Sequence, residues 1–260
     1  MSHGREESIN LWPTAVIGRR WVTLLEFLQL QPAEQILDVG CGRGEALRWI
    51  AAHVGASGRV VGVDVKQGLL DAVVATSEAA GERNIAVYLA DAVSLPFPDQ
   101  SFDAALSVNV LEAVSERSRA LGEMKRVLRS GGRVLLAHAD YESQVYACSD
   151  RALARRINLA FSEALMPGYQ AGDGQLGRHL WGLVNAAGFR HVELRVLPLV
   201  ETEFAAPHLG WTLTRLSPRW IVEQGLVQED LDRWRRDLEE RSARAEYVYC
   251  QNLYVCTASV

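Results

Sequence analysis

The sequence predicts an α/β protein in which helices cover both faces of an open, largely parallel sheet. Short apolar runs alternate with segments of helical periodicity between residues 35 and 138. Such alternation is typical of βαβ units, whose strands pair in parallel. The runs are apolar throughout, as expected for strands that are buried on both faces. The strands predicted in this part are 35–39, 59–63, 84–89, 102–108 and 133–138.

The helices between these strands follow from the spacing of their apolar residues. Residues 45–53, 68–80 and 111–128 place apolar side chains at helical intervals. The glycine pair of Ser130-Gly131-Gly132 is expected to end the last of these helices. A further helix is predicted over 11–30, before the first strand.

The second half of the chain is less regular. The predicted elements there are a helix from Asp150, a loop at 166–177, a helix at 180–187, a strand at 191–197, a helix at 228–245 and a closing strand at 247–257. Three prolines between residues 198 and 227 break any long element in that stretch.

Composition narrows the class of function. The chain has 260 residues, of which 48% are hydrophobic and 23% charged, as in an ordinary globular protein with one sizeable core. A net charge of −5 predicts neither a nucleic-acid nor a membrane partner. The four cysteines form no C-x-x-C pair, so no metal site or disulfide framework is expected. The absence of a signal peptide or a long apolar run predicts a cytoplasmic protein.

A glycine-rich turn follows the first predicted strand, in the segment ILDVGCGRGE. Gly40, Gly42 and Gly44 allow a tight turn and a close approach of a ligand to the backbone. The dinucleotide fingerprint G-x-G-x-x-G would need a glycine at position 45, where the chain has Glu45. An acid at the start of a helix disfavours a pyrophosphate and is compatible with a positively charged ligand without phosphate.

Acidic residues mark the ends of three neighbouring strands. They are Asp38, Asp64 and Asp91. An acid after the second strand can accept hydrogen bonds from ribose hydroxyls, in NAD as in other nucleosides. The third acid can accept from an adenine amino group, with the N–H of Ala92 facing a ring nitrogen. Together the three acids fit a cationic, phosphate-free adenosine compound such as S-adenosylmethionine.

At this point the chain resembles a known family. The segments ILDVGCGRG, VVGVD, LADAVSLPFPDQSFDAALSVNVLE and RVLRSGGRVLL are similar to the successive motifs of class I S-adenosylmethionine-dependent methyltransferases. The group that contains ubiquinone/menaquinone-biosynthesis enzymes and many small-molecule methyltransferases is the most similar. The resemblance covers about residues 33–140, and more loosely 180–197 and the final strand. It implies a Rossmann-like sheet of seven strands in the order 3-2-1-4-5-7-6, with the last strand antiparallel.

The resemblance also implies a cofactor site. In the family the glycine turn contacts the methionine portion, the acid at Asp64 holds the ribose, Asp91 and Ala92 flank the adenine, and Asn109 faces the ligand near the methyl donor. No metal is implied. The full predicted set for S-adenosylmethionine is Asp38, Gly40, Cys41, Gly42, Asp64, Val65, Asp91, Ala92 and Asn109.

The remaining segments are expected to cover the acceptor. We expect a single domain, 1–260, in which 33–140 bind the cofactor and three segments form helical cover insertions: 1–30, 141–180 and 198–246. Their many aromatic residues predict a small, apolar or planar acceptor. The cover and the exposed strand are compatible with a homodimer.

His138 is the predicted general base, because it ends the fifth strand beside the expected position of the donor methyl. Asp140 and Tyr141 are neighbouring candidates, and a histidine that merely packs at a strand end is the alternative. The transferred group could go to oxygen, nitrogen or carbon. Two other functions stay open: a cyclase or non-catalytic scaffold that binds S-adenosylmethionine, and an NAD-dependent oxidoreductase.

Overall fold

A computed structural model describes residues 14–163, 173–216 and 225–260. The strands are β1 (Gln35–Val39), β2 (Arg59–Asp64), β3 (Ile85–Leu89), β4 (Phe102–Val108), β5 (Leu128–Tyr146), β6 (Arg190–Glu201) and β7 (Tyr249–Ser259). The helices are α1 (Thr14–Leu28), α2 (Glu45–Val54), α3 (Gln67–Ala80), α4 (Arg117–Val127), α5 (Arg151–Glu163), α6 (Leu176–Ala186), α7 (Leu209–Leu216) and α8 (Gln228–Ala243). Within the described ranges, no helix combines the length and hydropathy that a membrane crossing requires.

All seven strands form one sheet in the order β3-β2-β1-β4-β5-β7-β6, which confirms the predicted order. The strands from β3 to β5 pair in parallel, whereas β7 runs antiparallel to both β5 and β6. Because parallel strands end at the same edge, the residues that follow β1, β2, β3 and β4 meet at one edge of the sheet.

Helices bury both faces of this sheet. Apolar side chains of α1, α2 and α3 pack on one face, among them Leu28, Leu47 and Val73. The opposite face packs against α4 and α6, through residues such as Met124 and Leu180. Alternate residues of the inner strands β1, β2, β4 and β5 therefore point to different cores and are largely buried, as their sequence predicted, whereas the edge strands β3 and β6 are partly exposed.

The predicted starts of two helices are wrong. The helix expected over 111–128 is instead a short 3-10 turn at Leu111–Ala113, an extended residue at Val114 and then α4. Leu111 is fully buried in this turn, so tertiary packing overrides the helical spacing of the segment. Helix α6 begins at Leu176, inside the expected 166–177 loop. Residues 1–13 and 164–172, which hold the start of the predicted N-terminal helix and most of that loop, lie outside the described residues.

Strands β5 and β6 run further than predicted, to Tyr146 and Glu201 instead of 138 and 197. Both extensions pair with Tyr249 at the start of β7, so a three-stranded arm projects beyond the parallel part of the sheet. Helices α5, α7 and α8 pack on this arm and form a third apolar cluster. Its members include Tyr146, Leu153, Phe161, Leu213, Leu231, Trp234, Leu238 and Tyr249.

We predict that Leu238→Ala destabilises the fold by about 3 kcal/mol, because the side chain is fully buried in the third cluster and its removal leaves a cavity. Urea unfolding of the whole chain measures the loss. Leu159→Ala is the matched control, since Leu159 lies on α5 of the same region with 46% of its surface exposed. Equal losses in the two variants would contradict a packed core in this region.

Candidate functional site

The glycine turn after β1 is held by backbone hydrogen bonds and close packing. The N–H groups of Gly40 and Cys41 both donate to the carbonyl of Val63, at 2.8 and 2.9 Å. Gly40 has φ +79°, and a Cβ there would lie 2.1 Å from Cγ2 of Val110. Glycine is therefore required at position 40 by both conformation and space. The turn is tied in this way to the end of β2 and to the residues after β4.

Gly42 and Asp64 form the open part of the turn. Gly42 has φ +55°, and nothing lies within 4 Å of where its Cβ would be. The carboxylate of Asp64 accepts hydrogen bonds from the N–H groups of Gly42 and Lys66, each at 3.0 Å. Each carboxylate oxygen keeps a further lone pair, so Asp64 is oriented and still able to accept hydrogen bonds from two ligand hydroxyls.

Asp38 is buried behind this turn, with 3% of its surface exposed. Its burial, together with the nearby charge of Asp64, raises the pKa of the Asp38 carboxyl to about 7. Burial, followed by the charges of Asp38 and Asp64, raises the pKa of the Cys41 thiol far above its usual range, which keeps this thiol protonated. A positive charge near Asp38 would favour the ionised form of its carboxyl.

The residues after β3 form a third part of the site. Asp91 Oδ1 accepts a hydrogen bond from the Val93 N–H at 3.1 Å, which fixes the carboxylate in a turn, and Ala92 beside it is buried. Leu89 pairs in register with Asp64, and its side chain is 57% exposed. Val65, which follows β2, is 61% exposed. Two apolar side chains thus lie open beside Asp64 and Asp91, a surface suited to a planar ring.

Asn109 directly follows β4 and is hydrogen-bonded to β5. Its φ is +54°, its N–H donates to the carbonyl of Ala137 at 2.8 Å, and its side-chain oxygen accepts from the Ala139 N–H at 2.9 Å. An asparagine tolerates this left-handed conformation better than most residues do. The side-chain oxygen is therefore bound to β5, and the amide nitrogen is the end of Asn109 that remains for a ligand.

The predicted base His138 is fully buried in β5. Its Nδ1 lies 3.9 Å from the Glu112 carboxylate, and neither ring nitrogen has a hydrogen-bond partner in the part of the chain that the structure describes. Asp140 is also fully buried, and both of its oxygens accept from Arg178, at 2.6 and 2.8 Å. Asp140 is thus an ion-pair partner rather than a free base. A catalytic role for His138 stays a prediction.

Three residues of this region were not singled out from the sequence: Leu89, Val110 and Glu112. The last position of β3 was a usable signal for Leu89, because strand ends in such sheets face ligands. Glu112 lies in the segment 111–128, which the spacing predicts to be a helix, and Val110 directly precedes it. The contacts of Val110 with Gly40 and of Glu112 with His138 depend on packing between distant parts of the chain.

The parallel sheet, the glycine turn and the acids beside it define a nucleoside-binding α/β protein of the Rossmann-like class. A protein-family model described as a methyltransferase domain matches residues 37–136. A ubiquinone/menaquinone biosynthesis C-methyltransferase of Syntrophotalea carbinolica is 32% identical over 191 residues, which are 70% of this chain and 79% of the relative. The chain belongs to the S-adenosylmethionine-dependent methyltransferases.

Other comparisons agree with this membership. A nocamycin O-methyltransferase of Saccharothrix syringae is 29% identical over 202 residues, covering 73% of this chain and 71% of the relative. The chain spans only 46%, 45% and 44% of the length of three further curated relatives. A solved protein of Bacillus halodurans, described as a candidate methyltransferase, has the same fold, with a TM-score of 0.63, 18% identity and coverage of 93% of this chain and 99% of that one. A solved cyclase of the 4+2 type also shares the fold, with a TM-score of 0.56, 22% identity and coverage of 93% and 79%.

We predict that Gly40→Ala destabilises the protein by about 1–3 kcal/mol more than Gly42→Ala does. Both substitutions force alanine into a positive φ, but only the Cβ at position 40 meets Val110. Urea unfolding of the two variants provides the comparison, with Gly42→Ala as the matched control for backbone strain. Equal unfolding free energies would show that Val110 does not restrict the turn.

A second prediction concerns pH. The pKa of Asp38 is about 7 in the folded protein and 3.8 in the unfolded chain, so ionising this carboxyl costs folding free energy. The wild type should therefore lose stability relative to Asp38→Asn as the pH rises from about 4 to about 7, by up to about 4 kcal/mol, and the difference should then stay constant. Urea unfolding of both proteins across this range measures it. A difference that does not vary with pH would mean that Asp38 ionises as freely as in the unfolded chain.

Proposed function

We propose that the protein binds S-adenosylmethionine at the glycine turn and transfers its methyl group to a small molecule. The observation that carries the proposal is the pair of acids, Asp38 and Asp64, beside Gly42, where no described atom lies within 4 Å of the position that a Cβ would take. A buried and a half-buried acid at one turn fit a ligand that is positively charged and can approach the backbone closely. The family to which the chain belongs supports this choice over an NAD-dependent oxidoreductase.

Different residues at the sheet edge would bind different parts of S-adenosylmethionine. Asp64, oriented by two backbone N–H groups, would accept hydrogen bonds from the ribose hydroxyls. Asp91 and Ala92 would take the adenine edge, and the exposed side chains of Val65 and Leu89 would contact its faces. The glycine turn and Asp38 would hold the methionine end, where the positive charges are.

The bound cofactor would supply an activated methyl group on a sulfonium, which a nucleophile can displace directly. The protein's own task is to hold the two reactants in line and to exclude water, and good positioning can supply roughly 7–11 kcal/mol. Asn109 would fix the wall beside the methyl group, because it bonds to β5 through both its backbone and its side chain. A base is required only where the acceptor must lose a proton.

We propose that 141–180 and 198–246 cover the acceptor site within a single domain. The third apolar cluster, built on the arm of β5, β6 and β7, belongs to these segments and supports a cover with an apolar interior. Apolar or aromatic small molecules are the acceptors that such an interior would admit. Cytoplasmic location, a homodimer and the absence of a nucleic-acid partner stay predictions from the sequence.

A cyclase or a binding scaffold is the second candidate. Its support is the state of two of the three candidate bases, since His138 is fully buried and Asp140 is ion-paired with Arg178. Neither offers a free base as the structure stands, so an acceptor that needs deprotonation would be served poorly. The mass of the product distinguishes the two functions: transfer adds one CH₂ unit to the acceptor, and cyclisation leaves its mass unchanged.

We predict that Asp64→Ala weakens the binding of S-adenosylhomocysteine at least about tenfold, since it removes the acceptor for the ribose and releases Gly42 and Lys66. Titration calorimetry of the whole chain measures the affinity. Asp71→Ala is the matched control, because Asp71 is an exposed acid on α3 whose carboxylate bonds only within its helix. No affinity in the wild type, or no loss in Asp64→Ala, would overturn the proposed cofactor site.

A further inference from the structure

The segment after β4 is hydrogen-bonded to β5 at the two residues that flank His138. Asn109 binds Ala137 through its backbone N–H and Ala139 through its side-chain oxygen. His138 lies between these two alanines, and because side chains alternate along a strand, it points to the opposite face of the sheet. Glu112, three residues after Asn109, comes to the same face and lies nearest to the imidazole.

Among the described residues, three buried polar atoms of this pair have no hydrogen-bond partner. They are Nδ1 and Nε2 of His138 and Oε2 of Glu112. His138 is fully buried and Glu112 is 3% exposed, so bulk water does not compensate for the missing bonds. Unsatisfied buried groups are costly and rare in native proteins. The distance of 3.9 Å from Nδ1 to Oε2 is about 1 Å longer than a hydrogen bond, so a small displacement of either side chain would suffice to form one.

We propose that Glu112 and His138 are positioning residues: the carboxylate of Glu112 accepts a hydrogen bond from His138 Nδ1, and this bond fixes the turn after β4 against β5. The bond satisfies two of the three unpartnered atoms. With the contacts of Asn109, it links the segment after β4 to three consecutive residues of β5, Ala137, His138 and Ala139. Neither residue touches the cofactor in this assignment.

The effect of the pair reaches the ligand through Val110, which lies in the same turn. Val110 occupies the space that a side chain at position 40 would need. A displacement of the segment after β4 would therefore move the glycine turn after β1 as well. The amide of Asn109 would move with it. This step rests on the proposed function, since it assumes that the glycine turn binds S-adenosylmethionine.

The first test addresses the pair itself and needs no ligand. Imidazole nitrogen resonances of the uniformly ¹⁵N-labelled protein, assigned through the backbone, report the proton and the hydrogen bond on each ring nitrogen of His138. We expect a hydrogen-bonded proton on Nδ1 in the wild type and its loss in Glu112→Met, which keeps an unbranched side chain but removes the carboxylate acceptor. Ring resonances of a free imidazole in the wild type, or an unchanged spectrum in Glu112→Met, would overturn the proposal.

The second test addresses the link to the ligand. Calorimetry with S-adenosylhomocysteine compares Glu112→Met, His138→Gln and the double variant, after circular dichroism has shown that each is folded. We expect about a tenfold loss of affinity in each single variant and no further loss in the double variant, because the two residues act as one unit. Glu116→Met and His179→Gln are matched controls at exposed positions nearby, and should bind as the wild type does.

The outcomes separate the possible failures. Wild-type affinity in both single variants, or losses that multiply to about a hundredfold in the double variant, would overturn the positioning role. A loss in His138→Gln alone would also overturn it and would favour a separate function for the imidazole. A wild type that binds no S-adenosylhomocysteine would refute the proposed function, whereas the nitrogen resonances would still decide whether the pair exists.

Discussion

The burial of Asp38 beside Asp64 is the constraint on which the rest of the site depends. Parallel pairing puts Asp38 opposite Gly62 of the neighbouring strand, two residues before Asp64. The fold gives the two acids different surroundings: burial, and then the charge of Asp64, raise the pKa of Asp38 to about 7, whereas Asp64 receives two backbone hydrogen bonds. Near neutrality the Asp38 carboxyl is thus only partly ionised, and a nearby cation would favour its ionised form.

Close packing around the turn explains why glycine occupies two positions in and beside it. Gly62 leaves room for Cys41, since a Cβ there would lie 2.7 Å from the sulfur. Gly40 leaves room for Val110 in the same way. The position of the glycine turn therefore depends on three strands at once, because the turn follows β1, its N–H groups donate to β2, and Val110 after β4 packs against Gly40.

Much of this could be predicted from the sequence, because it is local. The glycines, the acids at the strand ends and the short apolar strands are adjacent in the chain, and their spacing alone indicated the turn and the sheet. The full lengths of β5 and β6 were missed, since Tyr146 and Glu201 extend their strands only because Tyr249 lies between them. The surroundings of His138 were missed for a similar reason: its residue type suggested a base, but Glu112 and complete burial come from distant segments.

The pairing of Glu201 with Tyr249 has an evolutionary consequence. Residues 202–248 leave the sheet and return to it at neighbouring points, so the ends of this insertion are held together whatever lies between them. Lengthening such a closed excursion costs little, because the entropy of closure grows only with the logarithm of its length. The insertion can therefore change in length and sequence while residues 33–140 keep their geometry. If the insertion covers the acceptor site, as proposed above, new acceptor preferences can arise there without a change in the cofactor-binding part.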